Sequence, residues 1–130
     1  MMPFTRIIFR QGRWDDELHR ISDILHQALV DEFAVPPADR FQVIEALASM
    51  HLIYDPHYLT GRRSADYLLF HITAGKPRDG DQKRNFYRIL TDRLVAALGI
   101  SPDDIMIVMQ FTSPEDWCFG NGTVFTLEAL

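Results

Sequence analysis

At 130 residues and 15.0 kDa the chain is the length of one ordinary domain, and its 47% hydrophobic and 12% aromatic content supplies a core. Intrinsic disorder is thereby excluded. Thirteen basic against 18 acidic residues leave a formal charge of −5, which argues against a nucleic-acid binder. No apolar run approaches the roughly 18 residues of a membrane span. The first residues lack the charged start and long apolar stretch of a signal peptide. The single cysteine, Cys118, rules out an internal disulfide and fits a reducing compartment. The expectation is one soluble cytoplasmic domain over residues 1–130, with neither nucleic acid nor membrane as partner.

In chain order, Phe4 to Arg10 is rich in β-branched and aromatic residues and predicts a strand. Leu18, Ile21, Ile24, Leu25, Ala28, Leu29 and Phe33 then recur at helical spacing, with Asp15, Asp16 and Glu17 at the dipole-favoured start and Pro36-Pro37 as the stop. Phe41 to Ala46 reads as a strand, although Glu45 to Ala48 also suits a helix. Tyr67 to Thr73 is a nearly continuous apolar run, as in a strand buried on both faces. Phe86, Ile89, Leu90, Leu94, Ala97 and Leu98 form a second helical stripe, with Gly99 as C-cap, and Ile105 to Phe111 is another strand.

The chain also echoes itself. Leu29-Val30, Pro37 and Asp39 recur 65 residues on as Leu94-Val95, Pro102 and Asp104, and Phe33, Ala34 and Val35 are matched in kind by Leu98, Gly99 and Ile100. An offset of half the chain implies two copies of one β-α-β unit, approximately residues 3–65 and 66–130. The fold class is therefore α+β. Two architectures accommodate it: a ferredoxin-like sheet, as in small regulatory domains, or a sheet with both helices on one face whose oligomers form by sheet packing.

The ends of the chain carry a more specific signal. Met2-Pro3-Phe4-Thr5-Arg6-Ile7, Val35-Pro36-Pro37-Ala38-Asp39-Arg40-Phe41-Gln42, Arg63-Ser64, Ala74-Gly75-Lys76-Pro77-Arg78, Gln82-Lys83 and Asp116-Trp117-Cys118-Phe119-Gly120-Asn121-Gly122 occur in order over essentially the whole chain. Together they resemble the tautomerase superfamily, in its malonate semialdehyde decarboxylase-like branch, whose DWSFG signature has serine where this chain has Cys118. The resemblance implies two β-α-β units in pseudo-repeat with both helices on one face of the sheet, a homotrimer, no metal or organic cofactor, and tautomerisation, decarboxylation or hydration of small oxo or unsaturated acids. It also implies that Pro3 acts as an exposed N-terminal proline.

The chemistry of such a group follows from its nitrogen. Inside a chain it is an amide without useful basicity. At a free terminus it is a secondary amine, with a reference pKa of about 8 for an α-amino group, lowered by burial or nearby cations. Neutral, it takes a proton next to a carbonyl; cationic, it gives one. The chain begins Met1-Met2-Pro3, so the amine exists only where both methionines are absent.

Asp39 is the second catalytic candidate, matching the acid that activates water or orients substrate in the decarboxylase-like relatives; the alternative is plain turn chemistry. Lys76 and Arg78 are candidates to hold a substrate carboxylate, Lys76 standing where relatives carry Arg and so lacking the planar two-pronged grip. Arg63, Tyr54 and Trp117 complete the expected substrate-binding set. Arg62-Arg63 equally suits a surface pair, and Trp117 with Phe119 equally suits packing between subunits. Gly120-Asn121-Gly122 reads as a turn. The five histidines show no metal spacing, His19 and His26 being expected at the surface, and Cys118 is expected semi-buried. Metal ligands: none are expected.

The first functional expectation is a cofactor-independent tautomerase acting on 2-oxo acids or their enols. A malonate semialdehyde-type decarboxylase or hydratase is the second. A non-catalytic trimeric ligand-binding or assembly module is the reading if Pro3 stays blocked, and a ferredoxin-like regulatory domain would more often be a dimer.

Overall fold

The computed structural model describes residues 3–127, and the Met1-Met2 pair lies outside them. Strand β1 (Phe4–Arg10) is followed by helix α1 (Asp15–Phe33) and strand β2 (Phe41–Leu47). Strand β3 (Leu68–Ala74), helix α2 (Gly80–Leu98) and strand β4 (Ile105–Phe111) repeat the order. The sheet runs β2-β1-β3-β4. Each β-α-β unit contributes a parallel pair, and the units meet in the antiparallel β1–β3 contact, with Phe4 opposite Thr73 and Phe9 opposite Leu68. Glu45 to Leu47 continues β2, so the helical alternative for that stretch is excluded.

Local chemistry explains the helix ends. α2 opens in a capping box: the Gln82 amide donates to Asp79 (2.8 Å) while the Asp79 amide donates to the Gln82 side chain (3.2 Å). Gly99 closes α2 in the left-handed region at φ +66°, where lack of a Cβ costs nothing. Ala34 closes α1 at φ +54°, a conformation that strains an L side chain by about 1 kcal/mol. The acidic first turn of α1 offsets its helix dipole without a side-chain cap.

Both helices pack on one face of the sheet. Ile7, Phe9, Leu68, Phe70 and Ile72 meet Ile21, Leu25, Leu29, Phe86, Leu90 and Leu94 there, and Phe33 stacks on Phe86 at 4.7 Å. Strand alternation sends the other side chains to the open face. Toward the Arg10 end that face is covered by the 48–67 segment, where Ile8, Leu52 and Tyr67 form a smaller cluster. Elsewhere Phe41 and Val43 on one edge strand and Met106 and Val108 on the other are exposed. Arg6 binds Glu45 on this face through both carboxylate oxygens (2.6 and 3.0 Å), a pair that raises the arginine's affinity for its proton and lowers that of the carboxylate.

The duplication is displaced from the sequence echo by one residue. Helices match at 65 residues (Asp15 with Gly80), but strands match at 64: Phe4 with Leu68, Phe41 with Ile105. The strand counterpart of Asp39 is therefore Asp103, not Asp104. Asp104 is only 2% exposed and accepts the Ser64 amide (2.5 Å) and hydroxyl (2.7 Å), tying the 48–67 segment to the start of β4. Asp104→Ala leaves those two donors unpaired and should lower stability by about 2 kcal/mol in urea unfolding; a loss below about 0.5 kcal/mol would contradict this role.

Candidate functional site

The topology brings one set of expected residues together and sends the rest away. The start of β1, the start of β2, the end of β3 and the end of β4 share one end of the sheet. Pro3, Asp39, Lys76, Arg78 and Trp117 lie in the segments that flank these strand ends. Arg63 and Tyr54 lie in the segment leading into β3, at the opposite end, where β1 finishes. Six residue steps of roughly 3.3 Å make the two ends about 20 Å apart.

Pro3 is buried immediately before β1. The loop bearing Asp39 is anchored to α1 at several points. His26 Nε2 lies 2.8 Å from the Pro37 carbonyl, and Arg40 donates to Ser22 Oγ and to Asp23, each at 2.6 Å. The Asp39 amide donates to the Pro36 carbonyl at 2.9 Å, closing the turn that carries its half-buried side chain. His26 is thus a buried structural residue rather than a surface one, because the proline loop folds back over α1 and supplies its partner.

Between β3 and α2 the chain makes a basic turn of two unlike cations. Lys76 is exposed. Arg78 is 8% exposed: its guanidinium donates to the Phe33 carbonyl at 2.9 Å and to the Lys76 carbonyl, and lies 5.0 Å over the Phe33 ring. The Phe33 carbonyl belongs to the last turn of α1, where a cation offsets the negative dipole end. Burial lowers the arginine's affinity for its proton, yet a guanidinium is not deprotonated in proteins. Arg78 is therefore a fixed positive charge that joins α1 to the turn, and Lys76 is an exposed one.

The segment after β4 bridges the sheet at this end. Thr112 donates to the Ala74 carbonyl through both its amide (2.8 Å) and its hydroxyl (2.9 Å), and Trp117 Nε1 donates to Thr112 Oγ1 at 2.6 Å. Trp117 stacks on Phe119 at 5.6 Å, and Phe119 approaches Phe41, on the far edge strand, at 5.9 Å. An aromatic strap thus runs from β4 to β2 past the end where Pro3 sits. Phe41 and Thr112 are not among the candidate site residues of the sequence: Phe41 opens an expected strand, and Thr112 falls just past the one expected over Ile105 to Phe111. Gly120 to Gly122 forms the expected turn, with Thr123 donating to Gly120. Cys118 is exposed rather than semi-buried, since its neighbours Trp117 and Phe119 turn to the ring stack.

At the opposite end Tyr54 stacks on Tyr67 at 4.2 Å and donates to the Ser64 carbonyl at 2.5 Å. Arg63 donates to the Asp55 and Tyr58 carbonyls at 2.9 and 2.7 Å. Among the described residues no group of three or more His, Cys, Asp or Glu side chains is placed to hold a metal ion, and no helix is long and apolar enough to cross a membrane.

A duplicated β-α-β sheet, helices on one face and polar chemistry gathered at one sheet end, defines the tautomerase fold. Residues 39–120 match the family described as "Tautomerase enzyme". The chain is 35% identical over 127 residues to the probable tautomerase YusQ of Bacillus subtilis (strain 168), covering 98% of this chain and 100% of that protein. The probable tautomerase YrdN of the same organism is 31% identical, with 93% of each covered. A crystal structure of malonate semialdehyde decarboxylase superposes with a TM-score of 0.86 at 32% identity over 92% of both chains. A fused 4-OT described as a symmetric trimer shares the fold at a TM-score of 0.75 and 19% identity, over 93% of this chain and 94% of that one. The chain belongs to the tautomerase superfamily, in its malonate semialdehyde decarboxylase-like branch.

Proposed function

We propose that the chain is a cofactor-independent tautomerase of small 2-oxo acids and their enols, working at the sheet end that holds Pro3. The observation that carries this reading is the convergence of Pro3, Asp39, Lys76 and Arg78 there, from three separate segments. With its nitrogen free, neutral Pro3 takes a proton from the carbon beside the substrate carbonyl. Charge then moves to the carbonyl oxygen, where the cations of the basic turn stabilise it. The prolinium returns the proton to oxygen, giving the enol; ketonisation is the reverse. Lys76 holds the carboxylate, Arg78 supplies the fixed field, Asp39 orients the substrate and Trp117 walls the site. Arg63 and Tyr54 stand outside this site within one chain. The setting is cytoplasmic, as the lone cysteine and acidic composition suggest.

A homotrimer fits the exposed apolar side chains on the two edge strands of the open face, Phe41 and Val43 on β2 and Met106 and Val108 on β4, which neighbouring copies would cover. Decarboxylation of a 3-oxo acid is the second reading, supported by the 32% identity to malonate semialdehyde decarboxylase. The test is a parallel assay of enol phenylpyruvate ketonisation and of carbon dioxide release from malonate semialdehyde. Greater kcat/KM for ketonisation supports the first reading and the converse supports the second. Absence of both would leave a non-catalytic module.

Lys76 also makes a separate prediction. Lys76→Arg restores a planar two-pronged grip and should lower KM for a carboxylate substrate about threefold to tenfold with little change in kcat. Unchanged KM in steady-state kinetics would remove Lys76 from the carboxylate contact.

A further inference from the structure

We propose that the opposite end of the sheet, where β1 finishes, is a second site that binds a small organic carboxylate without turning it over. A cleft of about 450 Å³ there is lined by Arg10, Arg62 and Arg63 with Tyr54, Pro56 and Ser64, and by no acidic side chain. Among the described residues none of the three arginines forms an ion pair, although acids outnumber bases 18 to 13 in the chain. Arg10 Nε is sealed from solvent with no hydrogen-bond acceptor. Leaving such a donor unpaired is costly, and a bound oxyanion that drew the Arg10 guanidinium toward the cleft would relieve that cost.

The cleft is also built rigidly. Arg10 lies 5.0 Å over the Tyr54 ring, which is itself stacked on Tyr67. One Arg63 nitrogen is pinned by the Asp55 and Tyr58 carbonyls, leaving its other nitrogens without a described partner. The loop carrying Arg62 and Arg63 is bolted to the turn before β4. Thr60 Oγ1 and the Gly61 amide donate to Asp103 at 2.7 and 3.2 Å, and Ser64 is held by Asp104. A Cβ on Gly61 would crowd the Asp103 carboxylate, so this close approach favours glycine. The nearby acids Asp55, Asp103 and Asp104 are each occupied by loop backbone amides. Guanidinium groups grip carboxylate and phosphate alike, so it is the flat Tyr54 wall beside them that favours a planar organic carboxylate over a tetrahedral anion.

The pseudo-twofold relation explains why binding would stop short of chemistry. The strand offset of 64 sends Pro3 to Tyr67 and Asp39 to Asp103. The position of the amine is thus taken by an internal residue, whose 3%-exposed phenol donates to Met106 Sδ at 3.1 Å. The basic turn after β3 has its counterpart after β1, in Arg10 to Arg13. Because the two ends are distinct, this site stands or falls independently of the chemistry at Pro3.

The test is a two-dimensional ¹H–¹⁵N NMR titration of the full chain at low ionic strength, with malonate and, separately, inorganic phosphate. Saturable malonate shifts at the amides of residues 61–65 are expected. Arg10→Gln/Arg62→Gln should weaken them at least about tenfold, with phosphate the weaker ligand. Arg62→Gln alone, removing an exposed side chain, covers the case in which the double variant misfolds and should weaken binding about threefold. Shifts confined to residues 75–79, no shifts, or equal binding by the variants would overturn the site, and tighter phosphate binding would overturn its carboxylate assignment.

Discussion

Replacing Pro3 by alanine in protein that begins at Pro3 should lower kcat/KM for enol phenylpyruvate ketonisation at least about a hundredfold. Positioned acid–base groups contribute on that scale, and most of the loss should fall in kcat, because the cations that would hold the carboxylate are untouched. Alanine leaves a primary amine, so residual activity is expected rather than none. The pH profile adds a second readout. Only the neutral amine accepts a proton, so the rate should rise with pH as prolinium deprotonates. The midpoint reports the amine itself, whose reference value is about 8. A profile identical in the alanine variant would assign the titration to another group.

Arg78→Ala should cost about 3 kcal/mol of stability and also most of the activity. The side chain is buried, and its removal strands the Phe33 and Lys76 carbonyls and empties the space over the Phe33 ring. The turn that carries Lys76 loses its tie to α1 at the same time. Arg78→Lys separates charge from shape. It keeps the cation but reaches only one carbonyl well, so part of the activity should return while urea unfolding stays well below the parent. A stable but inactive Arg78→Ala would instead make the residue a direct substrate contact. A stable and active one would remove it from the site.

How much of this was legible beforehand follows from the range of each interaction. Hydrophobic period gave the helices and strands nearly to the residue, because Leu18 to Phe33 and Ile105 to Phe111 carry patterns that depend only on neighbours. The echo gave the duplication but misplaced its strand register by one, since the connecting loops differ in length by a residue and such differences have no periodic signature. His26 and Arg78 were misjudged or left open for one reason. Each is satisfied by a backbone carbonyl that only tertiary folding supplies, at Pro37 for one and Phe33 for the other. Among the candidate site residues, Pro3, Asp39, Lys76, Arg78 and Trp117 occupy one end because β1 and β3 are antiparallel. Arg63 and Tyr54 occupy the other end for the same reason. No spacing rule encodes which strand ends coincide.

The central claim is that a free prolyl nitrogen at the Pro3 end does the chemistry, and one comparison addresses it directly. Ketonisation of enol phenylpyruvate would be followed for two preparations, one shown by intact mass to begin at Pro3 and one retaining Met1 and Met2. Activity in the first and its absence in the second is the predicted result. Equal rates in both would mean that an amide-blocked Pro3 suffices, and the proline would have to be given up as the catalytic group.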